Sequence, residues 1–370
     1  MANSSLLEQP PTELALVEQL LQALQNLPDS TAELEASQTS GRDPNRRYDA
    51  EISLRTSGTP ILLLVECKKS AFPRDVRELL WQIKQYAAER ADTKRPQKVV
   101  PMLAADSISN GAKQLLREER VGYFDTGGSL YLPANGAYVF IDKPPPKAFA
   151  KSVRSLFSGR RAQVLHVLLH KPRQWLSVKG LAEEAMVSPA TASETLAALE
   201  RFDWVINRGQ GPAKERSLNE PGALLDAWAR QIASGKPLSV RRYFVPSGDA
   251  ESILQRVAQA CETHGAQYAI TAEAAAQRYA PFLSSVSQVK CRLLANRVSE
   301  SAIGGLNARA VSEGSNLAII DSKSAGEFLF RERVGEAWLA SPVQVYLDLL
   351  RGEGRSKEMA EHLRKERIGF

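Results

Sequence analysis

The sequence predicts an α/β protein of more than one domain, on three observations. In residues 1–143, apolar runs of strand length alternate with amphipathic helices. Residues 161–218 then read as three helices followed by strand, turn and strand. From residue 238 onward, strand-like runs again alternate with helical ones. A chain of 370 residues exceeds one ordinary core and implies two or three domains. Asp142-Lys143-Pro144-Pro145-Pro146 reads as a stiff connector, because a triple proline continues neither a helix nor a central strand. Gly235-Lys236-Pro237 closes a helix expected at Ala223–Ser234. The expected organisation is a mixed sheet flanked by helices over 1–143, a winged helix-turn-helix over 151–220, and a C-terminal α/β domain over 238–370.

The elements of the first block follow in order. Pro11–Leu27 carries apolar residues at helical spacing, with Thr12 as N-cap. Tyr48–Arg55 alternates and reads as a strand, and Pro60–Cys67 (PILLLVEC) is the continuous apolar run of a strand buried on both faces. Arg74–Arg90 is an amphipathic helix, Lys98–Ala104 a short apolar strand, and Ile108–Glu119 a further helix. Strands at Gly122–Phe124 and Ser129–Leu132 complete the block.

Composition limits the function classes. A charged fraction of 24% beside 43% hydrophobic residues is that of a folded globular chain rather than a disordered one. No run approaches the roughly 18 apolar residues a membrane span needs, so no membrane partner is expected. Met1–Pro11 lacks a basic n-region and an apolar h-region, which leaves a cytoplasmic location as the expectation. Cys67, Cys261 and Cys291 are widely separated and odd in number. None stands in ligand spacing with His166, His170, His264 or His362, so neither zinc nor a disulfide framework is expected. The net charge of +6 suits a polyanionic partner without identifying one.

Chemistry concentrates at two places. In the first block, Asp49 sits at the first strand, while Glu66 and Lys68 end the buried strand two residues apart, on one face. Two carboxylates of this kind hold a hard divalent cation through oxygen ligands. An adjacent lysine can orient or help deprotonate an attacking water and balance charge on a phosphate. Gln82 and Tyr86 follow at i and i+4 on the next helix. Taken alone, Glu66 and Lys68 would be ordinary strand-end charges. In this order and spacing, Asp49, Glu66, Lys68 and Gln82-x-x-x-Tyr86 resemble the PD-(D/E)xK restriction-endonuclease-like superfamily, in its RecB-type branch. That resemblance implies a nuclease-like fold, Mg2+ held by Asp49 and Glu66, and catalytic roles for Asp49, Glu66, Lys68 and Gln82. Glu18 or Glu13 would supply the additional acid that many members carry. The usual proline before the first aspartate is replaced by Tyr48. Cys67 reads as a core filler.

The second place is 161–218. Helices are expected at Ala162–Leu169 and Val178–Ala185. After Met186-Val187, Ser188-Pro189 starts a third helix over Pro189–Arg201, with Ser as N-cap and Pro at the first helical position. Its first turns stay small and polar at Thr191, Ser193, Glu194 and Thr195, a combination that suits the major groove. Trp204–Ile206 and Lys214–Leu218 flank a glycine-rich turn as a β-wing bearing Arg208, Lys214 and Arg216. Lys151–Arg216 holds eleven Lys/Arg against six Asp/Glu, the electrostatic footprint of phosphate contacts. Candidate DNA contacts are therefore Ser188, Thr191, Ser193, Thr195, Arg208, Lys214 and Arg216. Trp175, Leu181, Leu196, Leu199, Trp204 and Val205 read as core, and His166 and His170 as satisfied side chains.

The third block offers strands at Arg242–Val245, Gln267–Thr271 and Leu317–Ile320, and helices at Ala250–His264 and Glu273–Ala280, without a catalytic cluster. Ala269–Ala275 runs from strand into helix, where backbone amides could meet an anion, although an ordinary β–α junction is the plainer reading. Ala112–Thr126, the winged helix, Tyr268–Tyr279 and Val345–Leu363 together resemble the type IV toxin–antitoxin antitoxins of the abortive-infection kind (AbiEi-like). Gly127-Gly128-Ser129 departs from that pattern, where relatives often read Ala-Gly-Asn. The resemblance implies autoregulatory binding to double-stranded DNA and a partner protein. Winged-helix regulators usually meet two-fold sites, which makes a homodimer the default. A Mg2+-dependent endonuclease targeted by the winged helix is the enzyme alternative, and an antitoxin-like partner-binding protein is the other.

Overall fold

The computed structural model describes residues 12–37, 48–56, 60–91, 98–134, 137–235, 238–246 and 249–370. The Met1–Pro10 and Pro11 of the leader reading, and Lys236–Pro237 of the second connector, lie outside them. The molecule is α/β, as expected, and divides into two compact units. One is Met1–Val153 with Glu200–Asp203; the other is Arg154–Leu199 with Trp204–Phe370.

The first unit runs α1 (Glu13–Gln25), β1 (Thr31–Ser37), β2 (Ala50–Arg55), β3 (Ile61–Ala71), α2 (Pro73–Ala91), β4 (Lys98–Ile108), α3 (Asn110–Glu118), β5 (Gly122–Asp125), β6 (Leu130–Ala134) and β7 (Ala137–Ile141). Its seven strands lie in sequence order in one mixed sheet. The pairs β3–β4 and β4–β5 are parallel and the others antiparallel. Thr12 caps α1, its hydroxyl accepting from Ala15 N–H, and Leu16, Val17, Leu20 and Leu24 cover one sheet face. Helices α2 and α3 cover the other through Val76, Leu79, Ile83, Ala112 and Leu116. The edge strands β1 and β7 are additions to the expected order. In β1 (TAELEAS) only Ala32 is buried, so the apolar alternation that marks a strand is missing. Residues 142–146 form neither helix nor strand, and α4 (Lys147–Leu156) starts directly after Pro146.

The second unit continues with α5 (Gly159–His170), β8 (Leu176–Ser177), α6 (Val178–Glu184), α7 (Pro189–Arg201), β9 (Val205–Arg208) and β10 (Glu215–Leu218). The small antiparallel sheet has the order β8–β10–β9, so the hairpin closes over three helices as in a winged helix. Helix α8 (Pro221–Ala233) leads to the remaining elements. These are β11 (Val240–Phe244), α9 (Ala250–His264), β12 (Tyr268–Thr271), α10 (Ala272–Tyr279), β13 (Val289–Leu294), α11 (Arg297–Gly304), β14 (Arg309–Ala310), β15 (Leu317–Ser322), β16 (Glu332–Val334), β17 (Ala337–Leu339), α12 (Pro342–Leu349) and α13 (Ser356–Leu363). Seven strands form a second mixed sheet in the order β14–β11–β15–β13–β12–β17–β16. These helices, their hairpin and this sheet share one unit: His166 on α5 meets Gln344 on α12 (3.2 Å), and Gln163 reaches Ser324 (2.8 Å). Among the described residues no helix is long and apolar enough to cross a membrane.

Candidate functional site

On the first sheet, β2 and β3 bring Asp49, Glu66 and Lys68 together. Asp49 directly precedes β2 and is tethered twice to β3. Its N–H donates to Val65 C=O (2.9 Å) and its Oδ2 accepts from Cys67 N–H (2.6 Å), with Glu66 between those two anchors. Lys68 Nζ donates to Glu66 Oε1 (2.9 Å). Strand alternation turns Cys67 to the α1 core and Glu66 away from it. Burial raises the Glu66 carboxyl above the usual carboxylate range. The hydrogen bond from Lys68 opposes this, while Asp49 and Glu13 add to it. Burial works against the Lys68 ammonium, but Glu66, Asp49 and Glu13 outweigh it and leave its affinity for the proton raised. Of the two acids weighed on α1, Glu13 acts on this cluster. The Cys67 thiol is pushed by burial to about 12 and stays protonated, as a core side chain should.

Gln82 Nε2 donates to Tyr86 OH (2.6 Å), so the expected i, i+4 pair is formed along α2. One turn further, Arg90 reaches Glu51 on β2 with Nε at 2.9 Å and Nη2 at 3.3 Å, and Tyr48 OH donates to Glu51 at 2.5 Å. The buried Glu51 was not singled out from sequence. Its signal was position, on the strand that directly follows Asp49. Among the described residues no group of three or more His, Cys, Asp or Glu side chains is arranged to hold a metal ion.

In the winged helix, Ser188 caps α7: its Oγ accepts from Thr191 N–H (3.2 Å) and lies 2.9 Å from Thr191 Oγ1. Ser188 and Ser193 are exposed and Thr191 is half-buried. Thr195 is corrected. It is fully buried and its hydroxyl donates to Thr191 C=O (2.7 Å), because position 195 lies one turn from Thr191 on the face that Leu196 and Leu199 carry into the core. It cannot reach a ligand. The solvent face of α7 consists instead of Pro189, Ala190, Ser193, Glu194 and Ala197.

The hairpin turn needs glycine at 209, where φ is +74° and a Cβ would meet Ala213 O at 2.7 Å. Arg208 stands at its base with Nε 2.8 Å from Glu215 and its guanidinium 4.5 Å over Trp175. Trp175 is thus half-buried beneath the hairpin rather than core, while Leu181, Leu196, Leu199, Trp204 and Val205 are buried as expected. Arg208 loses much of its expected role too, since Glu215 answers its charge. Arg161 pairs with Glu194 and Lys171 with Glu184, so part of the local basic excess is internal. Lys214 and Arg216 are half-buried on the second arm, and Arg216 Nη1 donates to Lys214 C=O (3.4 Å). Arg160, Arg173 and Lys179 are exposed cations that the sequence reading passed over.

His166 and His170 both have partners. His166 is buried against Gln344 and packs edge-on to Trp228, and His170 stacks on Phe330 at 3.9 Å. At the β12–α10 junction the Thr271 hydroxyl donates to Asp348 (2.6 Å) instead of capping α10, which is the ordinary β–α junction. Compared with protein-family models, with curated proteins and with solved structures, the chain matches none.

Proposed function

We propose that this chain binds double-stranded DNA through its winged helix and regulates transcription, including its own. The single observation that carries this reading is the outer surface of α7. The helix starts at a capped Ser188, presents small side chains along its length, and is followed by a hairpin bearing Lys214 and Arg216. Apart from Glu194, which pairs with Arg161, the outward side chains of α7 up to Ala197 are small enough to let it approach base edges closely, with Ser188, Thr191 and Ser193 supplying hydrogen bonds there. Lys214 and Arg216, joined by Arg173 and Lys179, would meet phosphates. Two-fold sites make a homodimer the working stoichiometry. Fluorescence anisotropy against the chain's own upstream DNA and random DNA, over a salt series, tests this. Tighter binding to the upstream sequence is expected. Equal affinity for both sequences removes sequence-specific control.

A second reading is favoured by the double tether of Asp49 to β3: a Mg2+-dependent endonuclease directed by the winged helix. Asp49 Oδ1 and Glu66 Oε2 are the carboxylate oxygens left over by Cys67 N–H and Lys68. They suit a small hard cation, which takes one or two protein carboxylates and fills its shell with water. When bound, Mg2+ would supply a Lewis acid and an activated water. Lys68 would orient or help deprotonate that water and offset charge on the phosphate. Gln82 and Tyr86 would contact the backbone of the substrate from α2. Plasmid nicking with Mg2+ or Mn2+, compared between the native chain and the Glu66→Ala and Lys68→Ala variants, tests this. DNA binding without metal-dependent nicking ends the enzyme reading. The abortive-infection resemblance adds a partner protein as a third reading, which affinity capture with the neighbouring gene product would test.

A further inference from the structure

The first sheet ends on two edges that are built differently. Strand β1 carries the exposed Glu33 and Glu35 and a register shift between Leu34 and Ala36. Charge and a bulge are devices that keep an edge from pairing. Strand β7 (AYVFI) has neither, nor a proline, and its pairing with β6 runs unbroken from Ala137 to Ile141. No described strand lies beyond it. Yet Tyr138 is 70% exposed, Phe140 49% and Ile141 37%. An uncharged edge of this kind, left open, is an aggregation site, so in a folded chain it calls for a partner. An aromatic row leads to it. Tyr123 on β5 pairs with Tyr131 on β6, which pairs with Phe140 on β7. Ring centroids lie 5.5 Å apart for Tyr123 and Tyr131, 6.3 Å for Tyr131 and Phe140, and 6.0 Å for Tyr131 and Tyr138. The row crosses three strands and stops at the edge.

The backbone decides which partner fits. Ser129 C=O accepts from Asp125 N–H (3.0 Å), so alternation turns the backbone groups of Tyr131 and Pro133 to the β5 side. Pro133, which lies opposite Tyr138, has no N–H to give β7 in any case. The N–H and C=O of Tyr138 and Phe140, their opposites on β7, therefore point away from the sheet. A second β7, antiparallel and two-fold about Val139, sets Tyr138 opposite Phe140 of the second copy, and Phe140 opposite its Tyr138. Each pair exchanges two backbone hydrogen bonds and sets ring beside ring on the face where the aromatic row stops. The strand carries no charge to repel its own image. A charged strand from another protein would find no counter-charge on it.

We propose that β7 pairs antiparallel with β7 of a second copy of this chain, joining two sheets into one and making this edge the dimer interface. The proposal does not rest on DNA binding, and its test contains no DNA. Sedimentation equilibrium of the full chain over a concentration series should show a monomer–dimer equilibrium. Tyr138→Glu combined with Phe140→Glu sets like charges opposite each other across the axis and should weaken association about tenfold or more. Tyr138→Lys combined with Phe140→Lys should do the same. Mixed in equal amounts, the two double variants should form a dimer of one of each, because carboxylates then meet ammonium groups. Both positions are exposed, so each variant should keep the native circular dichroism. If a double variant does not, Tyr138→Glu and Phe140→Lys as single variants take their place, since their charges meet only in the mixed dimer. A native chain that stays monomeric, a dimer that both double variants keep, or folded variants that fail to associate on mixing overturns the assignment.

Discussion

Two buried titratable side chains do structural work that a few atoms explain. The ammonium of Lys113 is fully buried in the first unit, 2.9 Å from Asp125 Oδ2 and 2.6 Å from Ser129 Oγ. Removing one partner of such a pair strands a charge in low dielectric, whereas replacing both by apolar groups can be nearly neutral. Lys113→Met should therefore cost about 3–5 kcal/mol in urea unfolding, and Lys113→Met with Asp125→Leu should recover much of it. A single variant within 1 kcal/mol of the native chain would contradict that, on the same scale of about 3–5. His166 contributes a pH dependence of its own. Burial first, then Arg292, pull it from 6.5 to about 4 despite its bond to Gln344. A depressed imidazole is neutral when folded, so between those values only the unfolded chain takes the proton. The contribution of His166 is thus complete above about pH 6.5 and is lost as pH falls toward 4, by an amount on the order of 3 kcal/mol. The His166→Gln variant should flatten that slope, and an unaltered slope would place the dependence elsewhere.

At the scale of elements, α7 and the hairpin divide the work between shape and charge. Ser188→Ala removes the N-cap bond to Thr191 and should lower stability by about 1 kcal/mol, read by thermal or urea unfolding. Lys214→Ala and Arg216→Ala should weaken binding to all DNA sequences and reduce the salt slope by about 1 each. Arg208→Ala should change that slope by less than about 1, because Glu215 pairs with its guanidinium. A change of about 1 or more would mean that this ion pair opens on DNA. The carboxylate site is likewise a product of one element held by another: Asp49 lies outside β2, and β3 fixes both its backbone and its carboxylate.

For the whole molecule, the division into two units has a thermodynamic consequence. Each has its own sheet and core, and a chain built this way departs from two-state unfolding. Calorimetry should resolve two transitions, with Lys113→Met lowering one and His166→Gln affecting the other. A single transition shifted equally by both variants would show that the units unfold together. The second unit joins the winged helix to the second sheet through one chain of contacts, His166 to Gln344 to Asp348. Asp348, at the wall of a cavity on that sheet, and helix α5 are therefore two hydrogen bonds apart.

Periodicity made most elements legible, because burial on one face imposes spacing on the sequence. Helices α7 and α9 have the bounds read from sequence, and β3 and β4 only run further than their apolar cores. Glu66 and Lys68 were legible for the same reason, since a two-residue spacing on one strand puts both on one face, while Asp49 is brought to them by its bonds to β3. Edge strand β1 and the short strands β14, β16 and β17 were not, since each is fixed by pairing with distant partners rather than by its own pattern. What the tertiary structure alone decided is which polar groups face outward. Thr195 differs from Ser193 only by where the helix turns, yet one is buried and the other exposed. Glu51, Trp175 and Asp348 acquire their surroundings from segments far away in sequence, and local sequence holds no record of those neighbours.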